Sequence, residues 1–180
     1  MEVRRRFYVL PCRGLELEVG KRTLIMGVLN LTPDSFSDGG LFKDVDSAVA
    51  HAKRMLQEGA DIVDVGGEST RPGAEPVSAE EELGRVEPVL RRLLEEVNAP
   101  VSIDTHKANV AERCLEMGAH IVNDVTALRG DERMVEVVKQ YEAPVVLMHM
   151  KGTPRTMQVN PVYADVVAEI KKFLGERMAF

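Results

Sequence analysis

Residues 59–64 read Gly-Ala-Asp-Ile-Val-Asp, and residues 118–123 read Gly-Ala-His-Ile-Val-Asn. Each is a glycine stop, a short apolar strand and a polar residue where the strand ends. A segment with helical spacing precedes each one. Before Gly59 it carries Val45, Ala48, Val49, Ala52, Met55 and Leu56; before Gly118 it covers residues 108–117. A helix stop followed by a buried strand, met twice, is the unit of a stacked βα array. Short apolar strands alternating with amphipathic helices predict a parallel sheet with helices outside it.

The same alternation extends in both directions. Residues 15–19 and 23–29 flank Gly20-Lys21 and read as a hairpin whose second arm is the first major strand. Asp44 is placed to cap the first helix, which runs to about residue 58. Ser78 with Glu81 forms a capping box ahead of a helix that aligns Leu83, Val86, Leu90, Leu93, Leu94 and Val97. Strands follow at 101–104, 121–124 and 144–149, with helices at 131–141 and 161–178. The last helix has Val166, Val167, Ile170, Phe173 and Leu174 as its stripe.

Polar residues stand where each strand ends: Asn30, residues 66–71, Asp104, Asn123 and His149. The phosphate fingerprints of open doubly wound sheets, GxGxxG and GxxxxGK[ST], are absent. Five strands each delivering a polar group to one rim predict an α/β TIM (β/α)8 barrel, with its site on the C-terminal rim. Eight units close such a barrel, and five are countable here. A five-stranded sheet would leave two open edges. The expectation is a single barrel domain, residues 1–180, truncated at its C-terminal end or closed by association with another chain.

Composition narrows the function classes. The 180 residues carry a net charge of −6, with 44% hydrophobic and 29% charged side chains, an ordinary globular balance. There is no concentrated basic patch for nucleic acid, no run of about 18 apolar residues for a membrane, and no signal-peptide pattern at the N-terminus. Cys12 and Cys114 form no metal or redox motif, which fits a reducing cytoplasm, and Cys114 reads as a buried helix-face thiol. His51, His106, His120 and His149 lack zinc-type spacing.

The loops carry the chemistry. Residues 30–40, NLTPDSFSDGG, are too long and polar for a minimal βα connection. Thr32, Pro33, Asp34 and Ser35 are turn chemistry. Phe36 there is either part of a surface loop or a cover for something apolar. In residues 66–73, GGESTRPG, paired glycines let backbone amides approach a ligand. Thr70 adds a hydroxyl, and Arg71 a guanidinium fork suited to phosphate or carboxylate. Asp104 either caps the helix beginning near Lys107 or meets a ligand, since an isolated buried carboxylate is costly. An acceptor-only Asp104 beside the Asn123 amide can read the donor-rich edge of a 2-aminopyrimidinone. Asp124 reads as structural, His106 and Lys107 as solvated, and residues 151–154 as a loop anchor. His149 is either catalytic or a hydrogen-bonded structural histidine. Met148 or Met150 can floor a flat apolar pocket.

Residues 26–40 (MGVLNLTPDSFSDGG), 66–74 (GGESTRPGA), 101–107 (VSIDTHK), 121–125 (IVNDV) and 146–154 (VLMHMKGTP) together resemble the dihydropteroate synthase family. The resemblance implies condensation of 6-hydroxymethyl-7,8-dihydropterin diphosphate with 4-aminobenzoate, giving 7,8-dihydropteroate and diphosphate with Mg²⁺, in a homodimeric sulfonamide target. It implies Asn30 at the metal end and Thr70 at the diphosphate, with Arg71 beside the reacting groups. It implies Asp104, Asn123 and Met148 around the pterin. Thr32, Pro33, Asp34, Ser35, Phe36, Ser69, Arg71 and Pro72 would fall in the loops that receive 4-aminobenzoate. The family's chemistry is dissociative and needs no strong general base. It also uses later residues that find no match here, so the 180-residue polypeptide alone is expected to be inactive or nearly so. Competing readings are a pterin-binding methyltransferase domain and a non-catalytic pterin-binding module.

Overall fold

The computed structural model describes residues 6–32, 41–69, 75–153 and 156–179, with the side chains of 41–44 also outside the description. Strands β1 (Tyr8–Cys12) and β2 (Leu15–Val19) pair antiparallel. Their turn is Arg13-Gly14, both at positive φ (49° and 98°), the combination a tight hairpin demands. This corrects the expected hairpin: β2 pairs backward with β1, not forward with the next strand. Gly20 is not the hairpin turn; it has φ 106°, and a Cβ there would lie 2.0 Å from the Arg6 carbonyl oxygen.

Strands β3 (Met26–Asn30), β4 (Ile62–Gly66), β5 (Val101–Asp104), β6 (Ile121–Asp124) and β7 (Val145–Leu147) form one parallel sheet in sequential order. Helices α1 (Leu41–Gln57), α2 (Ala79–Glu96), α3 (Ala108–Met117) and α4 (Met134–Gln140) connect them, and α5 (Val166–Met178) follows β7. Sequential order without a reversal is the order of a barrel wall; a doubly wound sheet has a switch point. The fold is thus five βα units of a (β/α) barrel, as the alternation predicted.

The two sheet faces differ. Leu29, Val63, Val65, Val101, Ile103 and Val122 point outward into the helices and form the main core. Ile62 and Ile121, on the opposite face, pack with Cys12, Leu17 and Met26, so the hairpin plugs the N-terminal end of the inner face. Arg13 fastens it: its guanidinium donates to the carbonyls of Leu115 (2.8 Å) and Ala119 and lies over the Tyr141 ring. Cys114 is buried in the helical layer, and burial pushes its thiol up to about 12.

Local signals explain most ends. Gly59 and Gly118 sit at φ 111° and 117°, where a left-handed helix stop needs glycine. Ser78 Oγ accepts from the Glu81 amide at 3.1 Å, half of the expected capping box; Glu81 turns to Arg85 instead of back to Ser78. Ser78→Ala should cost about 1 kcal/mol of stability, read from denaturant midpoints. The α5 stripe departs from expectation. The helix starts at Val166 behind an Asp165 cap, none of its residues is fully buried, and Val166 and Val167 are exposed. Phe173 is its main anchor, with its ring against His149 and Arg129. The Asp44 cap lies outside the described residues.

Candidate functional site

Parallel register places Asn30, Gly66, Asp104 and Asn123 in one row across the C-terminal end of the inner face. Gly66 keeps the row open. A Cβ there would sit 3.6 Å from Asn30 Oδ1, 3.6 Å from Asp104 Oδ2 and 3.5 Å from Asp104 Cβ, so both side chains converge above it. One row lower on the same face, Asp64 faces Ser102 across the β4–β5 pair. Asn123 Nδ2 donates to Asp64 Oδ2 at 2.9 Å. Asp64 Oδ1, Ser102 Oγ and Asp104 Oδ1 are buried and have no hydrogen-bond partner among the described residues.

Such a cluster is electrostatically uneasy. Burial, reinforced by the charges of Asp64, Glu82, Asp124 and Glu68, pushes the Asp104 carboxyl up to about 7. Burial also raises Asp64. Ser102 and the Asn123 amide oppose that rise, although Ser102 Oγ makes no hydrogen bond of normal geometry to the carboxylate. Buried acceptors without donors carry a desolvation cost that a ligand rich in N–H groups would offset.

The alternative role for Asp104 fails on geometry. The amide of Ala108, first in α3, donates to Asp131 Oδ2 at 3.0 Å, so that helix is capped from the β6–α4 connection and not by Asp104. Asp124 is structural, as expected. Its carboxylate accepts from the Thr126 amide and hydroxyl, both at 2.7 Å, and from the Leu128 amide at 2.8 Å. It thereby holds a turn in which Ala127 and Leu128 both have positive φ.

His149 stacks edge-on against Phe173 (5.0 Å) and tilts against Tyr163 (5.9 Å), which docks α5 on the sheet. Lys151 bridges Val162, Glu169 and Tyr163, as expected of a loop anchor, while Pro154 at the end of that expected anchor lies outside the described residues. Met148 is half-buried just after β7, while Met150 is buried. Thr32 follows β3 and Ser69 follows β4, each beyond the end of a site-bearing strand. Pro33, Asp34, Ser35, Phe36, Thr70, Arg71 and Pro72 lie outside the described residues.

Lys107 corrects the sequence reading. It is not solvated; its ammonium joins Glu68 (2.8 Å) and the fully buried Glu82 of α2. Glu68 also accepts from the Val77 amide at 3.2 Å, and His106 Nδ1 lies 3.7 Å from it. Gly67 lets α2 approach: a Cβ there would fall 2.8 Å from Val86 Cγ2 and 2.9 Å from Glu82 Cγ. Asp64, Ser102 and this ion cluster were not singled out from the sequence as site residues. The available signal was the alternation Asp64-x-Gly66 and Ser102-x-Asp104, which puts Asp64 on the face of the open Gly66 position and Ser102 on the face of Asp104.

The profile of the pterin-binding enzymes matches residues 26–179. The chain belongs to that family. Among similar proteins, a dihydropteroate synthase of Clostridium beijerinckii is 55% identical over 161 residues, 89% of this chain and 57% of that protein. The crystal structure of Yersinia pestis dihydropteroate synthase with a sulfonamide drug superimposes with a TM-score of 0.87 at 44% identity, covering 96% of this chain and 62% of that one. Xanthomonas albilineans dihydropteroate synthase with 4-aminobenzoic acid gives 0.84 at 48% identity, covering 94% and 59%. The chain thus spans a little under three-fifths of the length of curated relatives it matches.

Proposed function

We propose that this chain carries the pterin half of a dihydropteroate synthase site. The reaction is the joining of 6-hydroxymethyl-7,8-dihydropterin diphosphate to 4-aminobenzoate, with release of diphosphate. The observation that carries the reading is the row of Asn30, Asp104 and Asn123 over Gly66, where amide and carboxylate groups share one surface of the sheet and the buried Asp104 Oδ1 has no hydrogen-bond partner among the described residues. A pterin presents an exocyclic amine and ring N–H groups on one edge, which is the complement of that surface. The family profile and the named relatives support the same assignment.

Asp104 would take the donor edge and fix the ring's rotation about its plane. Asn123 would accept a second hydrogen bond, and Met148 would contribute a polarisable wall. Asn30, at the outer end of the row, would face the diphosphate end. No cluster of three or more His, Cys, Asp or Glu able to hold a metal occurs among the described residues. That donor set does not build an all-protein cage, yet it fits Mg²⁺ held by one neutral oxygen from Asn30 alongside substrate oxygens and waters. When bound, the ion would supply Lewis-acid polarisation of the leaving diphosphate. Thr32, Ser69 and residues 33–36 and 70–72 are proposed for the 4-aminobenzoate side, with Thr70 and Arg71 toward the diphosphate.

Calorimetric titration tests the reading. The 180-residue chain should bind the pterin diphosphate in the presence of Mg²⁺, and Asn30→Ala should weaken the diphosphate more than the unphosphorylated alcohol. Absence of pterin binding would overturn the assignment. Methyl transfer from a methylated folate would move it to the methyltransferase branch of the family.

A further inference from the structure

We infer that Asp64 is a positioning residue that sets the hydrogen-bonding polarity of the pterin site by holding Asn123 with its Oδ1 turned toward the ligand. The inference rests on the functional reading above and adds the source of its selectivity. A primary amide can present either an acceptor or a donor after a half-turn, so asparagine alone does not define what it recognises. A carboxylate only accepts. Asp64 Oδ2, 2.9 Å from Asn123 Nδ2, therefore claims the donor end of that amide. The acceptor end is left for the open surface.

Burial makes this hold firm. Asp64 is 2% exposed and Ser102 is fully buried, so bulk water cannot substitute for the amide. Asp64 Oδ1, Ser102 Oγ and Asp104 Oδ1 remain without partners around it, which makes the Asn123 amide the only described donor bonded to the Asp64 carboxylate. A flip of Asn123 would set its Oδ1 against that carboxylate and lose the one bond present. The outcome is a surface that offers acceptors from both Asp104 and Asn123. It selects a 2-amino ring with adjacent N–H donors and rejects a ring of the same shape with a 2-oxo group.

The test compares two ligands on the 180-residue chain by calorimetry: 6-hydroxymethylpterin and 6-hydroxymethyllumazine, which differ in carrying a 2-amino or a 2-oxo group. The wild type should prefer the pterin by about tenfold or more, since a site built for a donor penalises its loss. Asp64→Asn offers Asn123 an amide in place of a carboxylate and frees it to flip. The preference should then shrink by about fivefold or more, with lumazine binding gained relative to pterin. Thermal unfolding and far-UV circular dichroism should show Asp64→Asn folded. Asp64→Ser, which also releases the amide, gives the same readout if it is not.

An unchanged pterin-to-lumazine ratio in a folded variant overturns the inference. So does an equal loss of both ligands, because a merely structural role would lower both together. A wild type that binds neither ring overturns the functional reading, and this inference with it.

Discussion

Asp104→Ala should weaken pterin binding by about 1.5–3 kcal/mol, the range for a hydrogen bond to a charged group. That corresponds to roughly 10- to 150-fold in Kd. The effect should depend on pH, because Asp104 sits at about 7 in the folded chain, against an ordinary value of 3.8. Donors are bound best by the carboxylate form. Wild-type affinity should therefore fall as pH is lowered from 8 through about 7, and the variant should lose this dependence. Titration calorimetry at several pH values reads both. Equal affinity in wild type and variant would remove Asp104 from the site.

Stability should move the opposite way. A carboxyl raised in the folded state binds its proton more tightly there than in the unfolded chain. Its favourable contribution is complete below about 4 and is lost as pH rises through about 7. At neutral pH the folded chain thus bears the ionised group at a cost. Asp104→Asn keeps the shape and removes the charge, so it should be more stable by an amount on the order of 4 kcal/mol at pH 8. At pH 4 the gain should vanish. Thermal midpoints at the two pH values check the sign. A residue that weakens the fold and strengthens binding is the expected mark of a functional position.

Lys107→Met should be the most destabilising single change near the site, by about 3 kcal/mol. Glu82 is fully buried and Lys107 is its cationic partner, so removing the ammonium strands a carboxylate in the protein interior. Losing one member of a buried pair typically costs about 3–5 kcal/mol. The lower end applies because Lys107 keeps 19% of its side-chain surface in water. Pairing the change with Glu82→Gln removes the stranded charge, and most of the loss should return. Denaturant unfolding of the two singles and the double gives the coupling directly. If the double is as unstable as Lys107→Met alone, the stranded-charge account is wrong.

Much of this protein was legible residue by residue. Gly118, Ser78 and the apolar strand cores act through local backbone and burial preferences, so α3 and β6 fall where periodicity put them, and Ser78 caps α2. Less legible were features in which distant residues compete for one partner. Gly20 reads as the hairpin turn, but the adjacent positive-φ pair is Arg13-Gly14; Gly20, also at positive φ, is instead pressed on Arg6. Lys107 looked solvated because its two carboxylates lie 39 and 25 positions away. The α5 stripe reads as a core face, yet none of its residues is buried and Val166 and Val167 are exposed.

The candidate site divides along the same line. Sequence alone determined the alternation of strands and helices, the barrel architecture, and the placing of Asn30, Asp104 and Asn123 at strand ends, because period-two and period-3.6 burial are local properties of the chain. It also carried the family likeness. Only the tertiary structure decided that those three residues share one row over Gly66, that Asp131 and not Asp104 caps α3, and that Asp64 takes the donor end of Asn123. The row and the Asp64–Asn123 bond depend on register between strands separated by whole helices. A shift of one residue in that register would turn each of these side chains to the opposite face.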